Sequence, residues 1–278
     1  MKWEILHRTR FDYASPVRDS FNEVRLQPPA NEQQIIDSFL LKVLPAARLR
    51  HYADFYHNII HHFEIPEPHT SLTVESQVRV TIKPAPVLAT DATPFPLARI
   101  AEALRWERAY DFLQASRFVD TAPETWRLAL DALGETKDTW QATLALMAFV
   151  HQHLKYEPAS TSVHTHMKDV LAQRRGVCQD FAHVLLGLCR AVKIPACYVS
   201  GYLATESASA THAWVEVLIP GIGWRALDPT HNCQPGETYV KIAVGRDYAD
   251  VAPRERPLRR EHGTLPERKC ANPVGGVD

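Results

Sequence analysis

The sequence has no excess of charge of either sign. Its 31 lysines and arginines are balanced by 32 aspartates and glutamates, which gives a formal net charge of −1. Proteins that bind nucleic acids or anionic membranes usually carry a basic excess or a basic patch. The balance therefore argues against both, and we expect no nucleic-acid partner and no membrane partner.

Long hydrophobic runs are also absent. No stretch approaches the roughly 18 consecutive apolar residues of a membrane-spanning helix, and the opening MKWEILHRTRFDYAS lacks the apolar segment of a signal peptide. We therefore expect a cytoplasmic protein. Because the chain has 278 residues, 45% of them hydrophobic, it is predicted to be globular with about two domains.

Cysteine is scarce, and its spacing includes no C-x-x-C pair. The sequence therefore indicates neither a disulfide framework nor a zinc knuckle, and we expect free thiols. The five cysteines are Cys178, Cys189, Cys197, Cys233 and Cys270. Closely spaced histidines are present, but no cysteine or carboxylate cluster accompanies them to complete a structural zinc site. These histidines are His61 and His62, His151 and His153, and His164 and His166. We expect no metal and no cofactor.

Residues 1–84 read as a series of strands, most of them closed by proline. Ser71 to Lys83 is the clearest, because its apolar residues share one parity and its polar residues the other, as in an antiparallel strand with one buried face. The other runs are WEILHRTRFDY, VRLQPP, IIDSFLLKVLP and FYHNIIHHFEIP. The pattern predicts a β-rich amino-terminal domain over residues 1–84.

After this region the sequence changes character. Residues 85–96 are rich in proline without apolar periodicity, which predicts a linker. Helical spacing follows in LARIAEALRWERAYDFLQAS, TWRLALDALG and Thr139 to Leu154. We predict an α+β protein with a helical and sheet core over residues 97–252 and an irregular tail, without a closing strand, over residues 253–278. The alternative is that the amino-terminal strands extend the sheet of the core as one continuous domain.

Cys178 is the first candidate for chemistry. It precedes a run in which Phe181, Val184, Leu185 and Leu188 recur at helical spacing, so it should lie in the first turn of a buried helix. The free N–H groups and the positive dipole end of that turn favour a thiolate, which is the nucleophilic form of cysteine. The alternative interpretation is that Cys178 only fills space in the core.

A later hairpin supplies candidates for a base and an orienting acid. Strand patterns on both sides of a Pro-Gly turn predict the hairpin. If pairing is symmetric about Pro220, Trp214 faces Ala226 and His212 faces Asp228. We then expect a hydrogen bond of about 2.6 to 3.2 Å between one ring nitrogen of His212 and Asp228. The other ring nitrogen would be left for Cys178.

These segments resemble a known family. RRGVCQDFAHVLLGLCRAVKIPACYVSGYL, THAWVEV and GWRALDPT are similar to the core of the transglutaminase-like superfamily, which has a papain-like fold and a triad in the order Cys, His, Asp. The resemblance covers roughly residues 144–250, and DFYHNIIHHFEIPEPHTSLTVES resembles the β-rich domain that precedes the core in the bacterial branch. It implies that Cys178 is the nucleophile, His212 the base and Asp228 the orienting acid.

The predicted function is a cysteine-dependent amide hydrolase or acyl transferase that works through a thioester on Cys178. A peptide or protein amide is the expected substrate, and hydrolysis is slightly favoured because the sequence shows no amine site. Tyr156 and Gln179 are candidate oxyanion or substrate contacts, whereas Asp180 either serves the site or only complements the helix dipole. The alternative function is a non-catalytic interaction module that retains the fold.

Overall fold

The computed structural model describes residues 1–84, 87–103, 107–204 and 209–259. An antiparallel sheet in the order β2-β5-β1-β4-β3 forms the amino-terminal part of the molecule. Its strands are β1 (Lys2–Gln27), β2 (Gln34–Leu44), β3 (Arg50–Ala53), β4 (Ile59–Ile65) and β5 (His69–Ile82). The predicted antiparallel character of this region is therefore confirmed, and Val74, Val78 and Val80 of β5 are buried as their shared parity predicts.

Strand β1 is longer than the sequence pattern indicates. The runs WEILHRTRFDY and VRLQPP were expected to form separate strands, but the chain stays extended from Lys2 to Gln27. The pairing with β5 shifts register between Asp12 and Val17, and from Ser20 onward β1 pairs with β4. Pro16 lies at this irregularity, where a ladder tolerates the loss of an N–H group. The proline therefore lies at an irregularity within one strand, before the strand changes partner.

A closing strand follows the core, contrary to the expectation of an irregular tail. Strand β12 (Arg254–Arg259) pairs antiparallel with β1, with Pro257 opposite Ser20. Backbone pairing does not require alternating side chains, and an edge position accepts a proline, so the sequence pattern could not show this strand. Residues 260–278, including Cys270, lie outside the described residues.

The second part combines short helices with another antiparallel sheet. The helices are α1 (Ile100–Ala103), α2 (Glu107–Tyr110), α3 (Pro123–Leu133), α4 (Thr139–His153), α5 (Met167–Gln173), α6 (Cys178–Ala191) and α7 (Tyr248–Val251). The strands are β8 (Ala196–Ala204), β9 (Ser209–Ile219), β10 (Gly223–Leu227) and β11 (Tyr239–Gly245), in the order β10-β9-β8-β11. A short parallel pair, β6 (Lys155–Tyr156) and β7 (Arg175–Gly176), precedes α6. Among the described residues, no helix has both the length and the apolarity needed to cross a bilayer.

The helical predictions are confirmed for α3, α4 and α6. Within the predicted helix from Leu97 to Ser116, the described residues form two 3₁₀ turns, Leu97–Arg99 and Asp111–Leu113, and the helical segments α1 and α2, and the helical backbone ends before Gln114. Residues 104–106 within it lie outside the described residues. Helix α5 was not predicted, because its seven residues span only about two turns and leave little periodicity to detect.

Helix α6 is the centre of the largest apolar cluster. Phe181 and Leu185 of α6 share this cluster with Val215 of β9 and with Ile5 and Val78 of the amino-terminal sheet. The two larger regions, 1–84 and 97–252, thus share one apolar cluster, but their strands lie in separate sheets. The division into two domains joined by a linker over residues 85–96 stays a prediction.

Two carboxamide side chains connect the amino-terminal sheet to strand β11. Gln34 donates to the carbonyl of Lys241 at 2.8 Å and accepts from its N–H at 2.9 Å. Asn58 makes the same two contacts with Val244, at 2.7 and 2.8 Å. Since β11 is an edge strand of its sheet, these amides satisfy backbone groups that would otherwise be unpaired.

Candidate active site

Cys178 is the first residue of α6, as predicted, and its side chain is half-buried. Asp180, in the first turn of the helix, accepts hydrogen bonds from the N–H of Val177 at 2.8 Å and from the Thr161 hydroxyl at 2.6 Å. Burial raises the pKa of Asp180, and these two hydrogen bonds oppose the rise. The Asp180 carboxylate therefore fastens the turn that presents Cys178, in addition to complementing the helix dipole.

The hairpin that carries His212 has a different register from the predicted one. Ala226 pairs with Glu216 and Leu227 with Val215, so the pairing is shifted by two residues. The predicted pairs Trp214 with Ala226 and His212 with Asp228 are therefore wrong. The turn is centred near Gly221, whose φ of 79° suits glycine. A shift of two keeps the parity, so the two functional side chains remain on the same face of the sheet.

His212 and Asp228 are nevertheless in direct contact. The Nε2 atom of His212 lies 2.7 Å from Oδ2 of Asp228, within the predicted range, and the two residues are 8% and 0% exposed. The ladder ends at Leu227, and Asp228 forms an isolated bridge with Cys233. This departure from the strand brings the carboxylate to the histidine despite the shifted register.

The protonation state of this pair follows from its surroundings. Burial alone would lower the pKa of His212, but the hydrogen bond with Asp228, and then that with Cys178, raise it to about 9. Because Nε2 is used by Asp228, Nδ1 is the ring nitrogen left for Cys178. Burial opposes ionisation of Asp228, yet the hydrogen bonds from His212, His231 and Tyr239 hold its pKa well below the ordinary value. The geometry thus favours an imidazolium between a carboxylate and the thiol.

Two of the side chains that hold Asp228 were missed by sequence reasoning. His231 Nδ1 and the Tyr239 hydroxyl each lie 2.8 Å from Oδ2. The backbone N–H groups of Thr230 and His231 donate to Oδ1, at 2.8 and 3.3 Å. An aspartate that precedes a proline often accepts hydrogen bonds from backbone N–H groups two or three residues later. The Asp-Pro-Thr-His segment therefore carried a local signal for His231. Tyr239 lies on a later strand, and no local sequence pattern links it to Asp228.

The two predicted oxyanion or substrate contacts differ in their placement. Tyr156 lies opposite Gly176 in the β6–β7 pair and is 51% exposed. Burial, followed by the charge of Cys178, raises the pKa of Tyr156. Gln179 is buried and donates its amide to the carbonyl of Val163 at 3.2 Å. The structure thus engages Gln179 with a neighbouring loop, whereas the role of Tyr156 at the nucleophile stays a prediction.

The remaining described cysteines have other environments. Cys178, Cys189, Cys197 and Cys233 are all free, as expected. Burial raises the pKa of Cys189 to about 12 and that of Cys197 further. Cys233 is half-buried, and its thiol lies 3.5 Å from the Tyr239 hydroxyl. Among the described cysteines, Cys178 is the one that touches a histidine paired with a carboxylate.

His212, Asp228 and His231 are also close enough together to be considered as metal ligands, since their nitrogen and oxygen atoms lie within 4.8 Å of one another. However, both nitrogen-to-oxygen separations, 2.7 and 2.8 Å, are those of hydrogen bonds. Tetrahedral zinc at about 2.0 to 2.1 Å from each ligand would separate the ligand atoms by roughly 3.3 Å. The three side chains fit a hydrogen-bonded cluster better than a metal centre.

Comparison with known proteins points to one family. The family model for the transglutaminase-like superfamily matches residues 127–229, and that for the bacterial transglutaminase-like N-terminal region matches residues 3–81. An uncharacterised protein of Mycobacterium leprae (strain TN) is 33% identical over 268 residues, which are 91% of this chain and 91% of that protein. A protein-glutamine gamma-glutamyltransferase of Pseudomonas aeruginosa is 31% identical over 123 residues, 39% of this chain and 18% of that protein.

A solved structure shares the fold along the chain. The crystal structure of a proposed cysteine protease from Cytophaga hutchinsonii matches with a TM-score of 0.81 and 24% sequence identity, covering 100% of this chain and 91% of that one. This similarity confirms the predicted α+β architecture, in which an antiparallel amino-terminal sheet is followed by helices and a second sheet.

Proposed function

Since the chain belongs to the transglutaminase-like superfamily, we propose that it is a cysteine-dependent enzyme that transfers an acyl group from a peptide or protein amide through a thioester on Cys178. The observation that carries the proposal is the chain of contacts from Asp228 through His212 to Cys178 at the start of α6. A module that retained only the fold would need neither the buried carboxylate nor the half-exposed thiol.

In the first half-reaction, the Cys178 thiolate attacks the amide carbonyl carbon and forms a tetrahedral intermediate. The C–N bond then breaks, His212 donates its proton to the departing amine, and the acyl group remains on sulfur as a thioester. In the second half-reaction, His212 takes a proton from the attacking nucleophile, and the C–S bond breaks to regenerate the thiolate.

The electrostatics of the site support these roles. With its pKa raised to about 9, His212 is an imidazolium near neutral pH, which stabilises a thiolate at Cys178 and provides the proton for the leaving group. The oxyanion of the intermediate would lie near the free N–H groups at the start of α6. The hydroxyl of Tyr156 is our candidate for a further donor.

Water is the acceptor that we favour for the second half-reaction, which makes the enzyme a peptidase or amidase. The similarity to a protein-glutamine gamma-glutamyltransferase supports the alternative, in which a second amine takes the acyl group. The cytoplasmic location stays a prediction from the sequence.

The test compares the wild-type protein with Cys178→Ala on a library of peptides, with and without primary amines. Ammonia or peptide release without amine incorporation indicates hydrolysis, whereas amine incorporation indicates transfer, and both must disappear in the variant. Turnover that survives in folded Cys178→Ala would overturn the proposal.

Iodoacetamide provides a substrate-independent measurement. Cys233 is also half-buried, with a pKa raised by burial, so peptide mapping of the labelled wild-type protein compares two partly buried thiols in one molecule. We expect Cys178 to be labelled at least about tenfold faster near neutral pH, because thiolates are the reactive form. Equal labelling would favour the non-catalytic module.

A further inference from the structure

The turn after strand β10 places a second histidine, His231, against the carboxylate of Asp228. The backbone bridge between Asp228 and Cys233 closes the turn, with N–O distances of 2.8 and 3.2 Å, and Asn232 adopts a left-handed φ of 51°. The N–H groups of Thr230 and His231 donate to Oδ1. Four hydrogen bonds thus fix the backbone that carries His231.

His231 and His212 share a single oxygen atom. Oδ2 of Asp228 accepts from His212 Nε2 at 2.7 Å, from His231 Nδ1 at 2.8 Å and from the Tyr239 hydroxyl at 2.8 Å. Because an ionised carboxylate is only an acceptor, each nitrogen carries a hydrogen that points at Oδ2. Each donor takes part of the negative charge that would otherwise stabilise the imidazolium of His212.

The two histidines differ in their access to solvent. The side chain of His231 is 48% exposed, whereas those of His212 and Asp228 are 7% and 0% exposed. The rings of His212 and His231 lie 5.2 Å apart between centroids. His231 is therefore the member of this cluster through which the buried carboxylate meets solvent.

We propose that His231 is a positioning residue, which holds Asp228 in place by donating to the same oxygen as His212 and thereby limits how strongly Asp228 retains the proton on His212. It acts on the reaction only through Asp228, so the inference rests on the proposed function. A protonated His231 would act in the same direction, because its positive charge would repel the His212 imidazolium.

Several titratable groups surround this pair and must be distinguished from it. Cys178 of α6 faces His212, and Tyr239 of β11 donates to Asp228. Cys233 lies in the same turn, beside Tyr239. His151 of α4 lies 3.1 Å from the carbonyl of Thr230, through Nδ1, without contacting Asp228. His151 is therefore a matched control, since it touches the same turn and not the shared oxygen.

The test is the pH profile of Cys178 alkylation by iodoacetamide, measured from pH 5 to 10.5 by peptide mapping. Proton loss from His212 should give an inflection near pH 9, its raised pKa. Replacing His231 by Ala removes the donor and should move this inflection upward by about 0.5 pH unit, a roughly threefold change in proton affinity. His231→Phe keeps a ring and removes the donor, so it should give the same shift and serves if the alanine variant does not fold.

Two further variants complete the design. His231→Asn restores a neutral donor and should return the inflection to within about 0.2 pH unit of wild type, and His151→Ala should leave it unchanged. Folded His231→Ala or His231→Phe with the wild-type inflection would overturn this inference while leaving the proposed function intact. If wild-type Cys178 instead reacts like Cys233 over the whole range, the proposed function itself fails.

Discussion

Replacing Asp228 by Asn tests how much the buried carboxylate contributes to the site. Its pair with His212, together with Cys178, raises the histidine pKa from 6.5 to about 9 against the effect of burial. At about 1.4 kcal/mol per unit, this difference corresponds to roughly 3 kcal/mol of stabilisation of the imidazolium. Near pH 7 the imidazolium fraction should fall from roughly 99%, because burial remains when the charge of Asp228 is removed and only the contact with Cys178 still raises the pKa.

The consequence for Cys178 can be measured without a substrate. An imidazolium beside a cysteine sulfur favours the reactive thiolate, so loss of this partner should slow iodoacetamide labelling near neutral pH. We expect at least about a tenfold decrease in the labelling rate of Asp228→Asn near pH 7.

The same substitution should also lower stability. Asp228 accepts five hydrogen bonds, three at Oδ2 and two at Oδ1. In Asp228→Asn, an NH₂ group replaces one of the two carboxylate oxygens. Three donors lose their acceptor if it replaces Oδ2, and two donors lose theirs if it replaces Oδ1. We expect a loss of about 2 to 4 kcal/mol in the free energy of unfolding, measured by urea titration.

Asp250→Asn is the matched control, because Asp250 is also a largely buried, hydrogen-bonded carboxylate, paired with Arg246 at 2.9 Å. It should destabilise the protein without changing the labelling of Cys178. A folded Asp228→Asn protein with wild-type labelling from pH 5 to 9 would refute the electrostatic reasoning.

Three other predictions concern stability. Burial lowers the pKa of His183 to about 3, so below pH 6.5 the unfolded chain binds a proton at this residue that the native state does not bind. The free energy of unfolding should therefore be about 2 kcal/mol lower at pH 5 than at pH 7. His183→Gln, which keeps a hydrogen-bond acceptor, should reduce this loss in urea titrations. Asn58→Ala leaves two backbone groups of an edge strand unpaired and should cost about 2 to 4 kcal/mol, whereas exposed Gln33→Ala should change the unfolding free energy by less than about 0.5 kcal/mol. A Cβ on Gly201 would lie 2.2 Å from the Val240 carbonyl oxygen, while one on Gly236 would meet nothing within 4 Å, so Gly201→Ala should lower the melting temperature and Gly236→Ala should not.

The sequence was informative where one face of an element is buried. The apolar spacing after Cys178 predicts α6 and places the cysteine at its first residue, because the buried face of a helix repeats every 3.6 residues. The alternation in β5 likewise predicts its buried parity. The shared face of His212 and Asp228 survived an error of two residues in the register, since only an odd shift moves a strand residue to the other face.

The features that escaped prediction depend on contacts between distant parts of the chain. The turn geometry that sets the register of β9 and β10 depends on Gly221, and the pattern of the flanking strands does not reveal it. Gln34 and Asn58 appear as ordinary polar residues in sequence, and only the position of the edge strand β11 gives their amides a role. His231 carried a weak local signal in its spacing from Asp228, but the sharing of one carboxylate oxygen is visible only in the structure.

Transfer of an acyl group to the sulfur of Cys178, and its release with the help of His212, can be observed directly. Acid-quenched mixtures of the protein with an activated acyl ester can be mapped by peptide mass spectrometry, in wild type and in His212→Gln. We predict a hydroxylamine-sensitive acyl adduct on Cys178 that turns over in the wild type and persists in the variant. Adducts spread over the cysteines without preference for Cys178, or an adduct that persists equally in both proteins, would contradict the account.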